Sequence, residues 1–259
     1  MRITTQYSGT AEYLQSHWPS YLFGYAGGTV LLMVILLASI FQGWYGFVNL
    51  AIAGLLILVY FLIASLWAAH KIFDGSEIID AIFQIGELQA SQTMVYIDLG
   101  LRSNGIAFSR RLSTGRIIIL DVYNPQLAPA RWLARANQRV KRPIEDPRTI
   151  WKSGDIDLLP LSDQSAPAVI LIMTASEFLQ EGDRMQLLEE IHRIMTLEGY
   201  LLMVERVRTP TNWLTMGPGA LRLTSPAYWH SILNRVGFRI TQEVVQNDMT
   251  QLFRAEKGL

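Results

Sequence analysis

MVYIDLGLRSNGIAFSRRLSTGRIIILDVYN, residues 94–124, contains two short apolar runs that each reach an aspartate, Asp98 and Asp121. Runs this short and this rich in β-branched residues read as strands buried on both faces. APAVILIMTA (166–175) and GYLLMVER (199–206) repeat the pattern. Helical periodicity lies between the runs, at 105–113, 125–140 and 181–197. In the last of these, Met185, Leu188, Ile191, Ile194 and Met195 share a face, and Gly199 follows the end. WKSGDIDLLPL (151–161) reads as a shorter strand with a turn, and 141–149 as a polar loop broken by proline. Strand–helix alternation with short connections predicts an α/β sheet, mostly parallel, with right-handed crossovers. At the tail, a helix near 225–236 stops at Gly237. FRITQEVVQ and QLFRAEK then flank Asn247-Asp248 as an antiparallel hairpin at the sheet edge.

The preceding chain obeys a different solvent. YLFGYAGGTVLLMVILLASIF (21–41) and FVNLAIAGLLILVYFLIASLWAA (47–69) are separated by QGWYG, and neither contains Asp, Glu, Lys, Arg or His. Each matches the ~20 residues a helix needs to cross hydrocarbon. We read a transmembrane hairpin, with spans at about 21–41 and 46–69. Arg2 is the only Lys or Arg ahead of the first run and lies about twenty residues from it, so a cleaved signal peptide is disfavoured. Tyr21, Trp44, Tyr45, Tyr60 and Trp67 suit the interfaces, with the partner helix as the alternative place for Tyr60, and Gly24, Gly27, Gly28 and Gly54 permit close helix packing. Arg2 before the spans, His70 and Lys71 after them, and no cation in the linker place both termini and the soluble domain on the cytoplasmic side. The domain plan is thus a tail (1–20), a hairpin (21–69), an amphipathic connecting helix (70–91) and an α/β domain (92–259).

Composition narrows the function. Lys+Arg and Asp+Glu are both 22 of 259 residues, so no basic excess points to nucleic acid. The chain has no cysteine, which excludes disulfides, thiolate metal sites and a cysteine nucleophile. The four histidines lack metal-ligand spacing, and no nucleophile-elbow, phosphate-loop or zinc-protease motif occurs.

Open α/β sheets bind ligands beyond the carboxyl ends of their strands. Asp98, Gly100 and Gly105 follow the first strand, Asp121 ends the second, and Asp155 ends the third. An acid at the second strand can accept from both hydroxyls of a ribose, and one after the third from an adenine amino group. Each has a plainer reading. Asp98 can cap its own turn, Asp121 can be a solvated loop acid, and Asp155 can close an Asx-turn.

The order VYIDLG…GRIIILDVYN…GDIDLLPLSDQS…LLEEIHRIMTLEGYLLMVE resembles the class I S-adenosylmethionine-dependent methyltransferases over about residues 72–257. That resemblance implies a Rossmann-like, mostly parallel sheet with an antiparallel last strand, and S-adenosylmethionine as cofactor. By resemblance, Asp98 and Gly100 line the methionine end, Asp121 holds the ribose, and Asp155 with Ile156 holds the adenine. The family's Asp-x-Gly-x-Gly-x-Gly loop is altered. Arg102 and Asn104 stand at the second and third glycine positions, and Gly105 comes one place late. Arg102 either fills the methionine space or pairs with its carboxylate. Ala166-Pro167 replaces a usual Phe-Asp, and Ser176-Glu177 replaces a frequent His-containing pair. Glu177 reads as a general base or as a helix N-terminal charge. Tyr228, Trp229 and His230 read as an acceptor-pocket wall or as a packed aromatic helix.

The expected function is transfer of a methyl group from S-adenosylmethionine to a small-molecule or lipid acceptor, on a domain tethered to the bilayer by residues 21–69. Arg131, Arg135 and Arg139 share a helix face that can touch anionic lipid head groups. The alternative is a methyltransferase fold without catalysis, serving as a membrane-anchored structural or assembly subunit.

Overall fold

The computed structural model describes residues 8–74, 77–139 and 146–258. The chain divides into two compact units. The first takes in the residues up to 75 together with Pro210–Ala220, and the second takes in Ser76–Thr209 and Leu221–Leu259.

In the first unit, α1 (Ser8–Tyr21), one π-turn (Leu22–Ala26) and α2 (Gly27–Phe41) run on as a continuous helix. A turn through Gly43, with φ +72°, leads into α3 (Tyr45–Phe73). Gly54 lets the two helices approach, since a Cβ there would sit 3.0 Å from Leu32 Cδ2. Tyr25 donates its hydroxyl to the carbonyl of Phe61 at 3.2 Å, and Tyr21 donates to Ser65 Oγ at 3.3 Å. Asp74 accepts the Thr10 N–H at 2.8 Å and its hydroxyl as well. Gly9–Phe41 and Tyr45–Phe73 are each long and apolar enough to cross a membrane. The helices extend beyond the expected spans. Hydropathy detects only the apolar part of a helix, and the polar Glu12, Gln15 and His17 continue the same backbone periodicity. The connecting helix is also shorter than 70–91. The α3 helix ends at Phe73, and α4 is Glu77–Ile85.

The second unit is a seven-stranded sheet in the order β3-β2-β1-β4-β5-β7-β6. Its strands are β1 (Met94–Asp98), β2 (Ile117–Asp121), β3 (Thr149–Ser153), β4 (Ala166–Ile172), β5 (Met195–Arg206), β6 (Phe238–Gln246) and β7 (Thr250–Lys257). The first five pair in parallel, and β7 runs antiparallel to both β5 and β6. Strands β1 and β4 are buried nearly throughout, as their unbroken apolar runs require. The flanking helices are α5 (Ser103–Ser109), α6 (Arg131–Arg139), α7 (Glu181–Ile194) and α9 (Pro226–Val236), with α8 (Pro210–Met216) between β5 and α9.

One face of the sheet carries Val95, Ile97, Leu171, Leu201 and Met203 into a core closed by Leu133, Leu188, Ile191 and Trp229. Ser225 caps α9 by accepting the N–H of Tyr228, and Gly237 ends it with φ +101°. The expected helix over 181–197 stops at Ile194, because Met195 is extended and pairs with Ala166. Gly199 therefore lies inside β5. The 125–140 helix shrinks to α6, since Pro125 and Pro129 precede it. Lys141 and Arg142 lie outside the described residues.

Leu171 is fully buried on the central strand. Leu171→Ala is expected to cost about 2–5 kcal/mol, read as a lower unfolding midpoint of the purified chain.

Candidate active site

The in-register pairing of β1 with β2 sets Asp98 beside Asp121 at neighbouring strand tips. Asp98 is buried, and its Oδ2 accepts the backbone N–H of Arg102 at 2.8 Å. Burial pushes its carboxyl up to about 6; the backbone N–H groups oppose the shift and the Asp121 charge adds to it. Asp121 is also raised by burial, against the Tyr123 N–H, which its Oδ1 accepts at 3.1 Å, and against the Arg102 charge.

The chain after β1 turns sharply. Gly100 has φ +79°, and a Cβ there would overlap the carboxamide of Asn137 from α6. Asn137 Nδ2 donates to the Leu99 carbonyl at 2.8 Å. Arg102 takes a left-handed conformation, with φ 61°, which is costly for a residue with a Cβ. Its guanidinium lies 5.5 Å from the Trp151 ring centroid, over the face of that β3 side chain. Arg102 Nε is buried and has no hydrogen-bond partner among the described residues. Asn104 donates to the Tyr96 hydroxyl at 3.3 Å, and Gly105 sits against Ile119 where a Cβ would collide.

After β3, Asp155 is exposed and its Oδ1 accepts the N–H of Ile156 at 2.7 Å, while Ile156 is buried. The following loop is fastened to α7. Glu190 accepts the Leu159 N–H at 2.8 Å, and Arg193 donates to the carbonyls of Leu159 and Leu161 and to Asp163.

At the far side of the rim, Glu177 lies in a short 3₁₀ turn, Ala175–Glu177, after β4. Burial pushes its carboxyl to about 7, opposed by the Trp132 indole N–H. Its companion, Glu205, is one that the sequence did not single out. Glu205, near the end of β5, is fully buried and accepts the Ala175 N–H at 2.9 Å. Its Oε2 is buried without a partner among the described residues. Burial raises it to about 7, against hydrogen bonds from Ser176 and Ala175 and with a push from the Glu177 charge. The turn between β4 and these acids is strained, with Met173 at φ 49°. The signal for Glu205 was present, since it is the one acid in the apolar run GYLLMVER.

The structure thus brings Asp98, Gly100, Arg102 and Asp121 together at β1 and β2, and Asp155 with Ile156 at the end of β3. Glu177 stands apart with Glu205 beyond β4 and β5. Tyr228 accepts from Arg184 at 2.9 Å and Trp229 is fully buried in the core. His230 pairs with Glu243 at 2.7 Å. Arg131 and Arg139 are exposed on α6 and Arg135 is half-buried.

A sheet in this order, with its penultimate position in space filled by an antiparallel last strand, is matched among solved structures. The fold is that of the class I methyltransferases. A S-adenosylmethionine-dependent methyltransferase from Aquifex aeolicus is 16% identical over 70% of this chain and 90% of its own, with a TM-score of 0.51. Human N-acetylserotonin methyltransferase, solved with S-adenosylmethionine, is 17% identical over 78% of this chain and 56% of its own, with a TM-score of 0.54. The cyclase SpnF is 16% identical over 70% and 79%, with a TM-score of 0.50. Identities this low establish the fold alone. No family model matches the chain, and no curated protein sequence matches it significantly.

The Glu205 carboxyl changes from an ordinary value of 4.5 to about 7 on folding. Across that window the folded chain holds a proton the unfolded chain has lost, so stability falls as pH rises. Glu205→Gln is expected to flatten this fall, measured as the thermal midpoint between pH 5 and pH 7.5. An unchanged slope would show that Glu205 is ionised in the folded chain.

Proposed function

We propose that this chain is a membrane-tethered methyltransferase that uses S-adenosylmethionine. The carrying observation is the in-register pair of buried Asp98 and half-buried Asp121 at adjacent tips of a sheet with methyltransferase order. Both carboxyls are raised by burial. A ligand offering hydroxyl donors and positive charge relieves that cost. The donor set fits S-adenosylmethionine, which has ribose hydroxyls, an ammonium and a sulfonium. The orphan Arg102 Nε is a donor of the kind that a ligand carboxylate accepts.

In this reading Asp121 accepts from the ribose, and Asp98 with Gly100 lines the methionine end. Ile156 packs on the adenine, and Asp155 fixes the turn that presents it. When bound, the cofactor would supply an electrophilic methyl group, because its sulfonium can leave that carbon as a neutral thioether. Such a transfer depends mainly on alignment and exclusion of water. Glu177, with a carboxyl near 7, suits removal of a proton from the acceptor at neutral pH, and the buried Glu205 holds the turn that carries it through the Ala175 N–H. The buried carboxylates, raised toward neutrality at a strained rim, are hard to explain in a purely structural subunit.

The tether rests on the two apolar helices and their exposure. Leu31, Val34, Leu37, Leu56, Ile57 and Ile63 all face outward, an apolar surface that water does not tolerate at this extent. With His70 and Lys71 in the last turn of α3, the α/β domain faces the cytoplasm. The acceptor is then a membrane-borne small molecule or lipid, with Arg131, Arg135 and Arg139 set to meet anionic head groups.

Titration calorimetry of S-adenosylmethionine into the purified full chain tests the reading. Asp121→Ala is expected to weaken binding by about 1–3 kcal/mol, or roughly five- to 150-fold, as buried hydroxyls lose their acceptor. Unchanged binding in Asp121→Ala would remove the ribose assignment. Binding weaker than millimolar in the unaltered chain would favour the anchored scaffold.

A further inference from the structure

PTNWLTMGPGA, residues 210–220, interrupts the α/β domain between β5 and α9, and it contains no Asp, Glu, Lys, Arg or His. Arg206 and Arg208 precede it, and Arg222 comes after it. The segment belongs to the first unit, with the apolar helices, and α8 packs against α3. At Gly217, with φ +56°, a Cβ would lie 3.0 Å from the Phe61 ring, so the turn after α8 closes directly on that side chain. Phe61 is nine residues before His70, the first ionisable residue of α3 after its apolar run. At 1.5 Å per residue that is about 13 Å along the helix axis.

The polarity of α8 is inverted. Asn212 and Thr215 are buried, at 0% and 4% exposure, whereas Trp213 and Leu214 are 39% and 60% exposed. A helix in water turns its apolar face inward; this one does the reverse. Its buried threonine hydroxyl is also satisfied within the helix, as hydrocarbon demands. Thr215 donates its hydroxyl to the Thr211 carbonyl at 3.0 Å. A 3₁₀ turn, Gly217–Arg222, continues from α8 and keeps the backbone hydrogen-bonded. Where the segment leaves and rejoins the sheet domain, the chain is clamped. The Arg208 N–H donates to the Thr224 carbonyl at 2.9 Å, and its guanidinium donates to the carbonyls of Leu221 and Leu223 at 3.1 and 2.9 Å.

We propose that residues 210–220 form a re-entrant element seated among the acyl chains of one leaflet against α3. An uncharged stretch of this length is too short to span and suits re-entry. The inference rests on the membrane tether proposed above and adds a second, separate lipid contact. The element begins five residues after Glu205 in the chain, so one short connection joins the lipid-seated segment to the carboxylate pair of the rim.

The absence of cysteine makes the test clean. Leu214→Cys, Ile57→Cys and Asp163→Cys are each labelled with the environment-sensitive dye NBD. The full chain is reconstituted in phosphatidylcholine vesicles with and without doxyl-labelled acyl chains. The Leu214 label is expected to emit at shorter wavelength than the exposed Asp163 label and to lose about half its intensity or more to the acyl-chain quencher, as the Ile57 label does. Trp213→Cys, labelled in the same way, repeats the measurement at an adjacent position. If the Ile57 label is quenched while the Leu214 and Trp213 labels behave like Asp163, the re-entrant element is wrong and the tether stands. If the Ile57 label is not quenched either, the tether fails and the element with it.

Discussion

Everything at the candidate site depends on one constraint: β1 is buried on both faces and pairs with β2 in a register that ends both strands on an aspartate. Burial is what makes the strand tips chemically interesting. An aspartate on an exposed loop would be fully ionised and indifferent to its neighbours. Here desolvation raises Asp98 and Asp121 together, and the Asp121 charge makes Asp98 harder still to ionise. The same principle recurs across the rim, where Glu177 and Glu205 sit near neutrality. The rim therefore has two acidic stations, one at β1 and β2 and one beyond β4 and β5. Backbone N–H groups hold Asp98, Asp121 and Glu205 in place. Those donors limit the shifts without abolishing them, which leaves carboxyls that respond to a ligand's charge.

The turns carry the strain needed to aim these groups. Arg102 and Met173 both adopt left-handed conformations that glycine would take without cost. At position 102 the arginine takes a glycine's place in the family pattern, and the exchange has a visible consequence. The guanidinium is laid over Trp151, leaving Nε without a partner among the described residues, while the Asn137 carboxamide closes over Gly100. Under the proposed function, the buried and unsatisfied Arg102 Nε is a group left for a ligand to meet.

Much of this was legible in the sequence. Apolar runs ending in Asp98 and Asp121 located the strands and the acids at their tips, because a strand buried on both faces leaves little ambiguity of period. Ser225-Pro226 and Gly237 marked α9 within a residue at each end. Glu205 escaped because its role is long-range. It accepts from residues 30 positions earlier in the chain, and only the β4–β5 pairing brings them together. Helix ends were misplaced where a tertiary contact decided them, as at Met195, which pairs with Ala166. Residues 210–220 escaped for another reason. Eleven uncharged residues containing two prolines and two glycines have no dominant period, and their inverted polarity becomes visible only once burial is known.

That inversion ties the chain's two kinds of surface together. In the sheet domain, apolar side chains go inward and the few buried acids are held by N–H donors. In the helical unit, Leu31, Val34, Leu56 and Leu214 point outward while Ser39, Asn212 and Thr215 are buried. Under the tether reading, the two units fold in different solvents, and the chain passes from one to the other after Asp74, after Thr209 and before Leu221. Charge gathers at the crossings: His70, Lys71 and Asp74 at the first, Arg206 and Arg208 at the second, Arg222 at the third. Arg208 does more than mark a boundary, since its hydrogen bonds close the neck between the second and third crossings. An excursion of the chain closed off in this way can enter a leaflet without pulling strand β5, and hence Glu205, out of register.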